Sequence, residues 1–355
     1  MGYGEDRRGR WARVRQWGAR AIIALLLGSA ACVANVEGAD HPLYSAPKYG
    51  ADRFVQARGY TLHYVEAGAG EPILLIPGAF TTYRAWNRVL AGLSLHARVL
   101  AVDYVGVGDS DKPETGFDYS VEEQADVMAE MLVTLRLPNV TVVGASYGGA
   151  VALNLAARYP ALVRRVVCVE GGALITPEVL NYSRLGGLVE WPILGDIIWG
   201  FMQSGLFDET TARSVMGPAW EGLSPEEKRE IVAVVSANIR TSTRSSWIGI
   251  YRAITRRIDF MDALDGLRTR VLYLYGTDSK YRAVADMNVR QLERYGAEIE
   301  IVAIPGGIHD LHLQHPDAVT GMVLRFRGTT PAPDIVAGAA ASPRAHADAF
   351  GRIFD

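Results

Sequence analysis

Six short apolar runs, each stopped by glycine, proline or a polar residue, constrain this chain more than any other feature. They are PILLIPG from Pro72, RVLAVDY from Arg98, VTVVGAS from Val140, RVVCVEG from Arg165, RVLYLYG from Arg270 and EIEIVAIPGG from Glu298. Continuous apolar runs this short suit strands buried on both faces, the environment of a parallel sheet. Helical stretches lie between most of them. One spans Ser120 to Leu135, where Ser120 is placed to cap and Glu123 completes the spacing of a capping box. Another spans Tyr147 to Arg158 and stops before Pro160. Strand alternating with helix, joined by right-handed crossovers, predicts a doubly wound α/β sheet, mostly parallel. Ahead of it, RFVQARGYTLHYVEAGAG reads as two strands joined at Arg58-Gly59, a hairpin.

One interval breaks the alternation. No strand is evident between Gly172 and Arg270, a stretch that carries Trp191, Trp199, Phe201, Phe207, Trp220 and Trp247 and a second capping signal at Ser224 and Glu227. It predicts a helical insertion over one edge of the sheet. Most of its aromatics are expected to form a small core of their own, with a subset lining a pocket where the insertion meets the strand ends. The expected division is a core of residues 50–172 and 263–327, a helical cap of residues 173–262, and a disordered tail of residues 328–355, rich in Ala, Pro and Gly.

Residues 1–37 differ from the rest. DRRGRWARVRQWGAR is strongly basic and is followed by AIIALLLGSAA. A basic flank, a short apolar core and small residues describe an export signal better than a spanning helix, which needs about 20 apolar residues. SAAC, ending at Cys32, is similar to a lipoprotein cleavage box, although Ser29 stands where leucine is usual. The expectation is export to a periplasmic, secreted or lipid-anchored location, with membrane attachment, if any, through the N-terminus. The formal net charge of −3 offers no basic field for nucleic acid. Of the two cysteines, Cys168 lies within a strand-like run and reads as a small buried hydrophobe.

The third run ends in GASYGG, placing Ser146 between Gly144 and Gly148, after a strand and before a helix. A sharp strand-to-helix turn forces the serine into strained backbone angles, demands small neighbours and lifts its oxygen towards the positive end of the helix dipole. A serine nucleophile needs a base. His41 and His63 precede the sheet core, His96 precedes a strand and His346 lies in the tail, leaving His309, His312 and His315. His309 directly follows the last strand and its Gly306-Gly307 turn, so it leads, with His312 as the alternative. Two acids stand at strand ends, Asp278 in LYGTDSK and Glu170 in VCVEGG, and either is placed to orient the imidazole.

LLIPGAF, AVDYVGVGDSDKP, VVGASYGGAVALNLAARYP, LYGTD and GGIHDLHLQHP together resemble the α/β-hydrolase superfamily, in its capped esterase and epoxide-hydrolase-like branch, over roughly residues 50–327. The resemblance implies a triad in the order Ser146, Asp278, His309, with Glu170 as the alternative acid, and an oxyanion hole from the amides of Ala79 and Tyr147. It implies a serine hydrolase of carboxylic esters acting without metal or organic cofactor on a small-molecule substrate. Lactone, carbon–carbon and amide hydrolysis and acyl transfer run on the same triad, and a catalytically silent ligand-binding homologue is the non-enzymatic alternative. Phe80, Trp191 and Trp199 are the candidates for the pocket lining, which favours medium-chain or aromatic acyl groups. The sequence departs from the family at Pro77-Gly78, where His-Gly is usual, and in a turn before Asp278 that is one residue short. Its nucleophile is serine, where relatives that open epoxides or displace halides use aspartate.

Overall fold

The computed structural model describes residues 49–176, 184–265, 267–293 and 298–328. The export signal, Cys32 and all but the first residue of the expected tail lie outside them. Strands β1 (Ala51–Ala57), β2 (Tyr60–Ala67), β3 (Pro72–Ile76), β4 (Arg98–Val102), β5 (Val140–Ala145) and β6 (Val163–Val169) precede the helical interval. Two-residue strands β7 (Leu174–Ile175) and β8 (Ile258–Asp259) bracket it, and β9 (Arg270–Gly276) and β10 (Ile299–Ile304) follow. An eight-stranded sheet has the order β1-β2-β4-β3-β5-β6-β9-β10. β1 pairs antiparallel with β2 and β2 with β4, and every other neighbouring pair is parallel. The expected hairpin turns at Arg58 (φ 51°) and Gly59 (φ 82°). Left-handed angles at both central residues match the twist of the strands.

The parallel strands read as unbroken apolar runs because both faces are covered. Along β3, Leu74 and Ile76 enter one core cluster and Ile73 and Leu75 the other. Along β9, Val271, Tyr273 and Tyr275 face one way and Leu272 and Leu274 the other. Helices α1 (Asn87–Ser94), α2 (Val121–Thr134) and α3 (Tyr147–Arg158) connect the first strands. α2 is capped by Ser120, whose Oγ accepts the Glu123 amide at 3.1 Å. The reciprocal half of the expected capping box is absent: Glu123 accepts from the Asp118 amide at 2.6 Å, and the Ser120 amide donates to Asp118 at 2.7 Å. The Asp118 carboxylate, two residues before the cap, supplies the acceptor that Glu123 was expected to provide.

Helices α4 (Leu194–Gln203), α5 (Asp208–Met216), α6 (Pro225–Arg240) and α7 (Arg244–Thr255) occupy the interval between β7 and β8, and a full capping box at Ser224 and Glu227 starts α6. Ala212, Met216, Trp220, Ile231, Val235 and Ile239 pack there around a local cluster that also takes in Ile308. β7 and β8 pair antiparallel, so the chain leaves and re-enters the sheet layer through one narrow ribbon. Helices α8 (Arg282–Leu292), α9 (Leu311–Gln314) and α10 (Pro316–Arg327) complete the described residues, among which no helix is long and apolar enough to cross a membrane.

A buried polar knot joins β2 to the loop after β4. His63 is 1% exposed and its Nδ1 lies 2.8 Å from Asp103 Oδ2, while its Nε2 lies 3.1 Å from Asp52 Oδ1. Asp103 also accepts the amides of Tyr83 at 2.8 Å and Asp109 at 3.1 Å. His63, Asp103 and Asp109 are close enough to hold a metal ion, but the hydrogen bonds just described already engage His63 and Asp103. Burial opposes a charge on His63, and the two carboxylates outweigh it, raising the pKa above the ordinary 6.5. A raised folded-state pKa means that the stabilisation is full below the unfolded value and fades as pH rises through the folded one. The gap in melting temperature between the native chain and His63→Asn is therefore expected to be widest near pH 6 and to narrow as pH rises; a pH-independent gap would contradict the charged histidine.

Candidate active site

The parallel strands β3, β5, β6, β9 and β10 are successive neighbours, so their carboxyl ends share one edge, where open α/β sheets hold their sites. Ser146 sits at the β5–α3 junction with φ 52° and ψ −117°. L-residues rarely adopt such angles, and the surroundings hold Ser146 there. Its amide donates to Val169 O at 2.8 Å, and its carbonyl accepts the amides of Gly149 at 2.9 Å and Ala150 at 3.1 Å. Around it the backbones nearly touch. A Cβ on Gly148 would lie 2.4 Å from the carbonyl oxygens of Ile76 and Pro77, and one on Gly171 would lie 2.7 Å from Ser146 O. Cys168 lies beneath, fully buried, and burial pushes its thiol up to about 12, which makes it packing material and not a nucleophile.

His309 follows β10 on a loop fastened from two sides. Gln314 Oε1 accepts the Ile308 amide at 2.7 Å, and Gln314 Nε2 donates to Gly306 O at 3.1 Å. Thr277 Oγ1 accepts the Gly306 amide at 2.9 Å, and the Asp278 amide donates to Gly307 O at 2.9 Å. The two loops cross closely enough that a Cβ on Gly276 would meet Gly307 O at 2.1 Å.

The structure pairs His309 with Glu170, where the sequence order had put Asp278 first. His309 Nδ1 lies 3.3 Å from Glu170 Oε2, a long but directed contact. Glu170 is 4% exposed, and its other oxygen accepts the Gly276 amide at 2.5 Å, while Ser279 Oγ donates to Oε2 at 2.8 Å. Asp278 is exposed and accepts from Thr277 Oγ1 at 2.9 Å. The short turn explains the exchange: with only Thr277 between Gly276 and Asp278, the backbone of Asp278 is spent on Gly307. With Nδ1 donating to Glu170, Nε2 of His309 is left for a substrate-side partner. Tyr281 packs edge-on against the imidazole with ring centres 4.6 Å apart. His312, the alternative base, is buried against the Trp86 ring, and burial lowers its pKa to about 4. His315 is lowered by burial as well.

The loop after β3 supplies amides. Phe80 N–H donates to Tyr104 Oη at 3.0 Å, Thr81 N–H to Gly78 O at 3.2 Å, Thr82 N–H to Asn238 Oδ1 at 3.0 Å and Tyr83 N–H to Asp103 at 2.8 Å. Among the described residues, the Ala79 amide has no protein acceptor, and neither does the Tyr147 amide at the first position of α3. Two amides without protein acceptors flank the serine, the arrangement that holds a developing oxyanion.

Of the expected pocket residues, Phe80 and Trp199 meet through a third ring. Phe80 stacks on Trp247 with ring centres 4.1 Å apart, and Trp247 meets Trp199 at 5.7 Å. Trp191 does not join them: it is 59% exposed, and its carbonyl accepts from Arg244 at 3.1 Å. Trp247 was singled out as an insertion aromatic but not for the pocket. Tyr104, Asn238, Ser279, Tyr281 and Gln314 carried no signal in the sequence, since each acts through a neighbour that only the fold supplies.

The comparisons agree with this architecture. The family model described as alpha/beta hydrolase fold matches residues 71–190. The chain has the α/β-hydrolase fold. It is 36% identical over 155 residues to 2-hydroxy-6-oxo-2,4-heptadienoate hydrolase of Pseudomonas putida, a match covering 43% of this chain and 51% of that protein. It is 25% identical over 285 residues to 2-(acetamidomethylene)succinate hydrolase of Mesorhizobium japonicum, covering 78% and 96%. Other curated relatives match over less, down to 38% of their length. Among solved structures, the enol-lactonase from Burkholderia xenovorans superposes with a TM-score of 0.64 at 20% identity, covering 78% of this chain and 100% of that one.

The close approaches around Ser146 predict a structural consequence. Gly171→Ala is expected to lower stability by about 1–3 kcal/mol through overpacking, measured as the shift in a urea unfolding midpoint. An unchanged midpoint would mean that the turn yields where the geometry says it is rigid.

Proposed function

We propose that this α/β-hydrolase is an exported serine hydrolase that cleaves carboxylic esters through an acyl-enzyme. The observation that carries the reading is the His309–Glu170 pair on the carboxyl edge of the sheet that also carries the strained Ser146 turn. In this scheme His309 Nε2 takes the Ser146 hydroxyl proton as Oγ attacks the carbonyl carbon. The carbonyl oxygen becomes an oxyanion held by the amides of Ala79 and Tyr147. Collapse breaks the ester C–O bond, the alcohol leaves with the proton from His309, and a water deprotonated by His309 then releases the acid. Glu170 fixes the imidazole tautomer and stabilises the imidazolium. A serine nucleophile forms an acyl-enzyme with carbonyl substrates, whereas epoxide opening and halide displacement in this fold proceed through a carboxylate.

The stack of Phe80, Trp247 and Trp199 supports an apolar acyl group, medium-chain or aromatic. The names of the relatives include hydrolases of a dienoate and an enol-lactone, so a lactone belongs in the substrate panel. Export, and any lipid on Cys32, rest on the basic stretch and the apolar run that precede that residue; intact-mass analysis of the purified protein reads both.

Ser146→Ala is expected to abolish p-nitrophenyl ester hydrolysis and fluorophosphonate labelling together, and labelling that survives would sink the assignment. Glu170→Gln is expected to reduce kcat by roughly three to four orders of magnitude, and Asp278→Asn to leave it within a few-fold. The reverse ranking would restore Asp278 as the triad acid. Trp247→Ala is expected to lower kcat/KM for aromatic acyl esters about two- to tenfold, the worth of a lost aromatic pair, with little change for acetyl esters. A uniform loss across a graded acyl panel would remove the stack from the acyl site.

A further inference from the structure

We infer that Tyr104 and Asn238 are positioning residues that hold the oxyanion loop in its working shape, and that through Asn238 the helical cap sets the geometry of the oxyanion hole. The inference rests on the serine-hydrolase reading and extends it to residues that touch neither substrate nor nucleophile.

The loop from Pro77 to Thr82 is strained where it matters. Phe80, directly after the proposed donor Ala79, has φ 63°, a left-handed conformation that costs a non-glycine residue about 1 kcal/mol or more. Something must hold it. The hydroxyl of Tyr104, 1% exposed, bridges the two peptide groups on either side of Ala79: it accepts the Phe80 amide at 3.0 Å and donates to Gly78 O at 3.1 Å. Fixing the Gly78 carbonyl fixes the plane of the Gly78–Ala79 peptide, and that plane determines where the Ala79 N–H points. The ring of the same tyrosine lies 5.5 Å from that of Tyr147, whose amide is the second proposed donor. Tyr104 therefore bonds the peptides around one proposed donor and packs on the side chain of the other. In this chain Pro77 takes the place of the family histidine, and proline brings no side-chain hydrogen bond and no N–H of its own to the loop.

The far end of the loop is held from the cap. Asn238 on α6 accepts both the Thr82 amide at 3.0 Å and the Thr82 hydroxyl at 2.9 Å through one oxygen, Oδ1. Both residues are buried, Thr82 at 0% and Asn238 at 7% exposure. Two donors converging on one buried acceptor fix the position of that acceptor, and its helix belongs to the insertion. The salt bridges from Arg88 to Glu227 at 3.2 Å and Glu230 at 2.6 Å tie the same cap helix to α1, which follows the loop. A shift of the cap against the core thus pulls first on Thr82 and then on the peptides around Ala79.

Hydrogen bonds that position a donor matter most where charge develops, so their loss falls on kcat more than on KM. The test compares Tyr104→Phe, Asn238→Leu and Asn238→Asp with the native full chain, using a p-nitrophenyl ester as the substrate. Fluorophosphonate labelling of the native chain is the control. Tyr104→Phe and Asn238→Leu are each expected to lower kcat roughly ten- to a hundredfold with KM within about twofold. Asn238→Asp, which keeps the acceptor, is expected to recover most of the loss. Affinity for a boronic acid, which mimics the tetrahedral adduct, should fall in parallel with kcat. If the native chain is not labelled, the serine-hydrolase reading has failed. If it is labelled while folded Tyr104→Phe and Asn238→Leu keep native kcat, or lose KM and melting temperature alone, the positioning roles are overturned. Should Tyr104→Phe fail to fold, the Asn238 pair decides: equal kcat for the leucine and aspartate variants refutes the inference.

Discussion

Backbone packed against backbone around Ser146 is the constraint on which the rest of the site depends. The turn from β5 into α3 fits only because Gly148 passes under the carbonyls of Ile76 and Pro77 and Gly171 passes against Ser146 itself. These contacts lock three strand ends, β3, β5 and β6, into one rigid group. Each loop inherits a fixed origin: Ala79 lies three residues beyond the first strand, Ser146 directly after the second and Glu170 directly after the third. It is consistent with this crowding that Ser146, Phe80 and Glu170 all take positive φ. Close-packed interiors transmit such constraints because no gap is left to absorb a displacement.

Much of this was legible in the chain because it follows from local rules. Alternating burial on two covered faces makes strands into apolar runs, and the six runs became six strands of the sheet. The Arg58-Gly59 turn and the helix from Tyr147 to Arg158 followed from backbone preferences carried by single residues. The positions of Ser146 and His309 beyond strand ends and beside glycines were legible for the same reason.

Which acid stands beside His309 was not legible, and neither was which of the aromatic rings meet. Asp278 and Glu170 both stand at strand ends, and a sequence gives their order along the chain without giving the side to which each carboxylate turns. One missing residue in the β9 turn was the visible sign, and it acts through the Asp278 amide rather than through its side chain. From the sequence, Trp191 belongs to the expected pocket lining and Trp247 to the other insertion aromatics, whereas the packing of α7 against the core stacks Trp247 on Phe80 and leaves Trp191 exposed. Glu123 found a nearer partner in the Asp118 amide than the cap spacing implied. In each case the local signal was real and a neighbour brought in by the fold decided its use.

The helical insertion enters and leaves through the β7–β8 ribbon, which makes it look exchangeable. The loops that carry His309 and Ala79 would not experience that exchange equally. The His309 loop takes its hydrogen bonds from Thr277, Asp278 and Gln314 of the core and meets the insertion through apolar packing of Ile308, which tolerates substitution of similar volume. Among the described residues, the loop carrying Ala79 is hydrogen-bonded to the insertion at a single asparagine oxygen. Recombining this scaffold with a foreign insertion would thus leave the hydrogen bonds of the His309 loop standing and remove those that hold Thr82, unless residue 238 travelled with the core. Exchange of the insertion in such a chain is coupled to the Ala79 loop through one amide side chain.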